Sequence, residues 1–139
     1  MVTEGLLKLE VATPTGLVLE TEASSVQAPS VEGEFGVLPG HLPLLAALRA
    51  GVLSYTENGE LKFAAVGAGF VEAGPRGVLL LTNSFVTKAS IKVDDVRAEL
   101  EAAEKALADF GGPIDSLDAK ELVQKAEWAR ARLDTALAS

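Results

Sequence analysis

The spacing of apolar residues changes once along this chain, near Thr87. Before that residue apolar and polar side chains alternate, as in the run LLKLEV at residues 6–11, which is the two-residue period of a strand. After it, apolar residues recur every three or four positions, which is the period of a helix. The change therefore predicts a β domain over residues 1–87 and a helical domain over residues 88–139.

Turn-forming residues divide the first part into short strands. Asn58-Gly59 separates two alternating runs, and both positions of a type I′ turn require positive φ, so strands over 52–57 and 60–66 are predicted to form a hairpin. The sequence GPRG separates two further strands, and the run 78–81 after it does not alternate, so we expect burial on both faces. Turns recur about every ten residues, which predicts an antiparallel β-sandwich.

The second part contains two helical segments. The first carries an apolar stripe, preceded by acidic residues at the positive end of the helix dipole, and Gly-Gly-Pro ends it. The stripe comprises Val96, Leu100, Ala103, Leu107 and Phe110. Asp118 and Glu121 are spaced as a capping box for the second helix, with Leu117 and Leu122 as flanking staple residues.

These segments predict an α+β fold, in which an N-terminal antiparallel β-sandwich precedes a C-terminal antiparallel two-helix hairpin. An isolated pair of helices buries too little apolar surface to be stable alone. We therefore expect the hairpin to dock on the β domain, on a partner, or alternately on both, which makes it a candidate switch.

Charge and composition exclude several functions. The 139 residues include 20 acidic and 12 basic ones, for a net charge of −8, so phosphate backbones would be repelled and no nucleic acid is expected as a partner. The absence of cysteine excludes thiolate metal sites and cysteine nucleophiles. The sequence shows no signal peptide and no apolar run long enough to span a bilayer.

His41 is the one histidine, and its neighbours do not support catalysis. No nucleophile elbow is present, and only Glu32 and Glu34 lie near it in sequence as candidate metal ligands. The expectation is a turn histidine bonded to the backbone, or an interface residue, with no catalytic residue and no metal site in the chain. An enzyme that uses His41 is the less favoured alternative.

Three stretches carry a resemblance to a known family. EGEFGVLPGHLPLLAALRAG (32–51) closely resembles the signature of the epsilon subunit of the F-type ATP synthase. VGAGFVEAGPRGVLLLTNS (66–84) and VDDVRAELEAAEKAL (93–107) resemble that family's next strands and its first C-terminal helix. The resemblance covers nearly the whole chain.

The resemblance implies a non-catalytic rotor subunit in the central stalk of the proton-translocating F1Fo ATP synthase. Its sandwich would bind the gamma subunit and rest on the c ring, and its hairpin would reach the alpha/beta hexamer and restrain ATP hydrolysis. The chain would lie peripherally at the cytoplasmic face of the bacterial plasma membrane, attached only through the Fo sector. A free-standing nucleotide-sensing module is the alternative.

The same resemblance assigns residues to the interfaces. Glu32, Gly33 and Glu34 would form an acidic tip facing the c ring. A gamma-facing edge would comprise Pro39, Gly40, His41 and Pro43.

Some bacterial members of the family bind regulatory ATP on the hairpin, and part of that motif is present here. The matching residues are Val93, Asp94, Arg97 and Ala98, with Arg130 as a further cation. Lys88 and Glu104 depart from the motif, since a glutamate and an arginine are expected there. The alternative is no cofactor, with Asp94 capping the helix and Arg97 paired with Glu101.

Overall fold

Ten strands and then two helices follow one another along residues 5–139, the part of the chain that the computed structural model describes. The first four residues of the predicted β domain lie outside the described residues. The strands are β1 (Leu7–Thr13), β2 (Gly16–Ala23), β3 (Ser25–Ser30), β4 (Gly33–Val37), β5 (Leu44–Leu48), β6 (Gly51–Glu57), β7 (Glu60–Val66), β8 (Gly69–Ala73), β9 (Gly77–Thr82) and β10 (Phe85–Thr87). A 3₁₀ turn (Lys88–Ser90) leads into α1 (Val93–Ala108) and α2 (Leu117–Leu137).

The strands form one sheet that folds into two layers. Its order is β10-β7-β6-β3-β5-β8-β9-β1-β2, with β4 paired to β3. Only the pair Ser30 and Leu48 connects β3 to β5, and the sheet bends there. The predicted β-sandwich is confirmed, with one difference: β1 and β9 pair in parallel, while the other pairings are antiparallel.

The core lies between the two layers. Leu7, Leu9 and Val11 of β1 point inward and are fully buried, as their alternation predicts. They pack with inward residues of the opposite layer, among them Val26 and Leu53. Each Å² of apolar surface that is buried contributes about 25 cal/mol to the free energy of folding, so this cluster is the main source of stability.

A polar contact joins the layers at one open side. The hydroxyl of Thr21 on β2 donates to the Glu57 carboxylate on β6, and Lys62 Nζ donates to Glu57 Oε1 at 2.6 Å. The hydrogen bond from Lys62, followed by that from Thr21, holds the pKa of Glu57 below its ordinary value. This contact therefore holds the edge strand β2 most strongly when the Glu57 carboxyl is ionised.

The predicted β6–β7 hairpin is confirmed, because Asn58 and Gly59 have φ of 51° and 77°. The prediction for residues 78–81 is wrong in part. Val78 and Leu80 are buried, but Leu81 is 50 % exposed, because β9 has its outer face in contact with no other layer of the described structure.

The helices form the predicted hairpin, with α2 between α1 and the layer containing β6 and β7. Val96 and Leu100 of α1 pack against Ala129 and Leu133 of α2. Ala131 and Thr135 lie on the other side of α2, and both are buried against the sheet.

The predicted start of α2 is wrong. Ser116 is the N-cap, and its Oγ accepts from the Ala119 N–H at 3.2 Å, which places Asp118 within the first turn. Leu117 is 79 % exposed and does not staple the helix to Leu122. Leu137, the last residue of α2, is 57 % exposed.

Candidate interaction surfaces

Glu32 lies at the turn between β3 and β4. Its N–H donates to Ser30 Oγ at 3.2 Å, and the same hydroxyl donates to the Gly33 carbonyl at 2.6 Å. Gly33 has φ of 117°, which side chains rarely adopt, so glycine is required here. Glu34 lies within β4 and accepts from Gln27 Nε2 at 2.8 Å. The turn therefore presents one exposed carboxylate at its tip and a second along the strand.

The loop containing Pro39, Gly40, His41 and Pro43 follows β4. Gly40 has φ of 83°, and its N–H donates to the Pro75 carbonyl at 2.9 Å. His41 is half-buried, and its Nδ1 donates a hydrogen bond to the Leu42 carbonyl oxygen at 2.5 Å. This is the backbone-bonded turn histidine that the sequence predicts.

The two predicted interface segments lie at opposite ends of β4. This strand has five residues, so the Glu32 turn and the His41 loop are about 16 Å apart along it. Pro39 and Pro43 instead line an open groove of about 900 Å³ beside the β8–β9 turn. The two segments can therefore contact two different neighbours at once.

A third surface, which sequence reasoning missed, crosses the outer face of one layer. Five residues on five adjacent strands pair in succession: Ala47, Phe70, Leu81, Ala12 and Leu17. We call these five residues the apolar row.

The larger members of the apolar row are accessible to solvent. Phe70 is 57 % exposed, Leu81 50 % and Leu17 52 %. Leu45 adjoins the row on β5 and is 70 % exposed. A continuous exposed apolar surface of this kind is typical of a protein interface.

An acidic border runs beside the apolar row. Two residues further along the strands, Glu72, Leu79, Glu10 and Glu20 pair in succession. Lys8 lies 3.8 Å from Glu10 and 4.0 Å from Glu20, and it compensates part of their charge. The surface thus suits a partner that has an apolar centre and a basic rim.

Four of the residues proposed for nucleotide binding lie on neighbouring turns of α1, and the fifth, Arg130, lies on α2. Asp94, Arg97 and Ala98 are exposed on α1, whereas Val93 is half-buried against the inter-helix cluster. Arg130 of α2 lies 3.7 Å from Glu104. Seven residues, or about 10 Å of helix, separate that point from Arg97.

The alternative roles predicted for Asp94 and Arg97 are wrong. The N-cap of α1 is Lys92, so Asp94 lies in the first turn and makes no side-chain cap. Arg97 and Glu101 form no ion pair among the described residues.

Across residues 5–139, no three or more His, Asp or Glu side chains are grouped so that they could hold a metal ion. Neither described helix has the length and apolar character needed to cross a membrane.

The fold is that of a small subunit in which a β-sandwich carries a C-terminal helical hairpin and has an exposed apolar surface. Residues 6–88 match the family model of the ATP synthase Delta/Epsilon chain β-sandwich domain. The chain belongs to the ATP synthase epsilon-chain family.

Relatives from several bacteria support this assignment. The chain is 39 % identical over 123 residues to the ATP synthase epsilon chain of Nitratidesulfovibrio vulgaris, covering 88 % of this chain and 92 % of that one. It is 38 % identical to the epsilon chain of Moorella thermoacetica, covering 86 % and 90 %.

Solved structures share the fold. A chain of the Euglena gracilis mitochondrial ATP synthase, in a structure of its OSCP/F1/c-ring part, superposes with a TM-score of 0.81 at 20 % identity, covering 99 % of this chain and 84 % of that one. A chain from the central stalk and c-ring of the Tetrahymena thermophila mitochondrial enzyme gives 0.61 at 16 % identity, covering 98 % and 99 %.

Proposed function

We propose that this chain is a non-catalytic rotor subunit in the central stalk of the F1Fo ATP synthase, where it couples proton transport to ATP synthesis. The observation that carries the proposal is the apolar row, which gives the sandwich a docking face opposite to the one that α2 covers. Because the chain belongs to the ATP synthase epsilon-chain family, we expect this face to be used inside an ATP synthase.

The gamma subunit is the partner proposed for the apolar row. Leu45 continues the row toward the loop that holds His41, so both can contact one neighbour. The exposed carboxylate of Glu32 at the far end of β4 would then contact polar loops of the c ring. Attachment of the chain to the cytoplasmic face of the membrane would follow from that contact with the Fo sector alone.

The hairpin is proposed to restrain ATP hydrolysis by the alpha/beta hexamer. It meets the β domain mainly through α2, and the residues buried there include the small Ala131 and Thr135. Such a contact is weak enough to be exchanged for a contact with another subunit.

A charge placed in the apolar row tests the proposal. Leu81→Glu puts a carboxylate where gamma would bury an apolar side chain, so we expect its affinity for purified gamma to fall about 100-fold. Leu61→Glu is the matched control, because Leu61 is 51 % exposed on β7, outside the row.

Both variants are compared by circular dichroism and then titrated against gamma. Equal gamma affinities for two folded variants would refute docking through the row. Failure of the unaltered chain to bind gamma, together with heat on titration with ATP, would favour the free-standing nucleotide-sensing module.

Regulatory ATP binding stays a prediction. Glu104 pairs with Arg130 and adds a carboxylate beside the proposed site, so we expect affinity in the millimolar range or weaker. Glu104→Gln would release Arg130 and strengthen binding, as measured by isothermal titration calorimetry.

A further inference from the structure

Lys88 lies where three parts of the chain meet. It begins the 3₁₀ turn between β10 and α1, so it belongs to the covalent link between the β domain and the hairpin. Because α2 runs antiparallel to α1, the last turn of α2 returns to this link. Lys88 Nζ donates a hydrogen bond to the carbonyl of Ala138, the C-cap residue of α2.

The same ammonium group also contacts the β domain. It lies over the ring of Phe63 on β7, 5.4 Å from the ring centroid. A cation is favourable over an aromatic face and beside the carbonyl end of a helix, where the backbone dipoles leave negative charge. Lys88 therefore satisfies an end carbonyl of α2 and holds it against a fixed strand.

Few other polar contacts attach the hairpin. The five ion pairs between described residues all lie within the β domain or within the hairpin. Among the described side-chain hydrogen bonds, the one from Lys88 is the link between the sandwich side and α2. The hairpin is otherwise attached by apolar contacts between α2 and the β domain, and Ala131, which is buried there, has little apolar surface to contribute.

We propose that Lys88 is a latch that fastens the C-terminal end of α2, and with it the hairpin, to the β domain. When the contact between Lys88 and Ala138 breaks, the last turns of α2 separate from the β domain first, because these turns lie beside the 3₁₀ turn that contains Lys88. The consequence for hydrolysis rests on the function proposed above, whereas the latch itself is a property of the isolated chain.

Hydrogen–deuterium exchange of the full chain tests the latch. Lys88→Met keeps the apolar stem and removes the ammonium group, so amides of residues 131–138 should exchange about tenfold faster, since a hydrogen bond to a charged group is lost. Lys88→Arg keeps a cationic donor and should restore slow exchange. Lys92→Met is the matched control, because Lys92 is exposed in the same link and its side chain makes no cap hydrogen bond.

The faster amide exchange must be confined to the C-terminal end of α2. Unchanged exchange in Lys88→Met, or acceleration that extends equally through the sheet, would overturn the latch. In the assembled ATP synthase, Lys88→Met should also lower the rate of ATP hydrolysis. Faster exchange with unchanged hydrolysis would support the latch and count against the proposed role of the hairpin.

Discussion

Gly69 is the position where the sandwich tolerates a side chain least. Its φ is +157°, and a Cβ built on it would lie 1.9 Å from the Leu81 carbonyl oxygen and 2.9 Å from the carbonyl carbon. These are backbone atoms of the paired strand β9, so they cannot rotate away as a side chain would. Gly69→Ala must therefore push β8 and β9 apart at the end of their ladder.

The cost of Gly69→Ala follows from this clash. Ordinary van der Waals contact begins near 3.4 Å, so the strands must separate by more than 1 Å at this point. Overpacking of this severity, with loss of a ladder hydrogen bond, costs about 3 kcal/mol. An unfolding entropy of about 2.1 cal/mol/K per residue over this chain converts that loss into a fall in Tm of about 10 °C.

Thermal unfolding followed by far-ultraviolet circular dichroism measures this shift. Gly74→Ala is the control in the next turn, where a Cβ would meet nothing within 4 Å. Because it only restricts the unfolded chain, this variant should be neutral or stabilised by about 0.5 kcal/mol. A Tm for Gly69→Ala within 2 °C of that of Gly74→Ala would refute the assigned close approach of the two strands.

Two further predictions concern single contacts. Ser116→Ala removes the N-cap of α2 and should reduce the free energy of unfolding by about 1 kcal/mol in urea, whereas Asp118→Ala should reduce it less. A larger loss in Asp118→Ala than in Ser116→Ala would restore Asp118 as the cap. The lowered pKa of Glu57 means that its contact with Lys62 stabilises the fold above the ordinary value of 4.5 and is lost as pH falls through the lower folded value. The Tm of the unaltered chain should therefore exceed that of Glu57→Gln at pH 7, and the difference should shrink as the pH falls below 4.5. A difference that does not change with pH would contradict this contact.

Local patterns predicted those parts of the fold that depend on neighbouring residues. Asn58-Gly59 specifies its turn because positive φ is required at both positions, and the inward residues of β1 follow from a period of two. The prediction of Asp118 as the N-cap of α2 was wrong because its spacing to Glu121 does not decide between serine and aspartate, which cap equally well. The structure selects Ser116, whose N–H donates to the Pro113 carbonyl at 3.1 Å and sets the chain direction into the helix.

The apolar row could not be predicted in the same way. Its members lie on five strands, and Leu81 and Ala12 are neighbours only because β9 and β1 pair in parallel across the sheet. Each residue alone reads as an isolated outward apolar side chain, or as part of a buried strand in the case of Leu81. The registers of distant strands are set by tertiary packing, which no local period records.

The two outer faces of the sandwich differ in what a departing neighbour would expose. Removing α2 would uncover the buried Ala131 and Thr135, which are small, and water would replace the hydrogen bond at Ala138. A partner leaving the apolar row would expose Phe70 and Leu81 again, at about 25 cal/mol per Å² of apolar surface. Replacing one neighbour by another therefore requires less free energy on the face that α2 covers, and stable binding is favoured on the face with the apolar row. Because the buried core separates the faces, the hairpin can change its contacts while the sandwich stays docked.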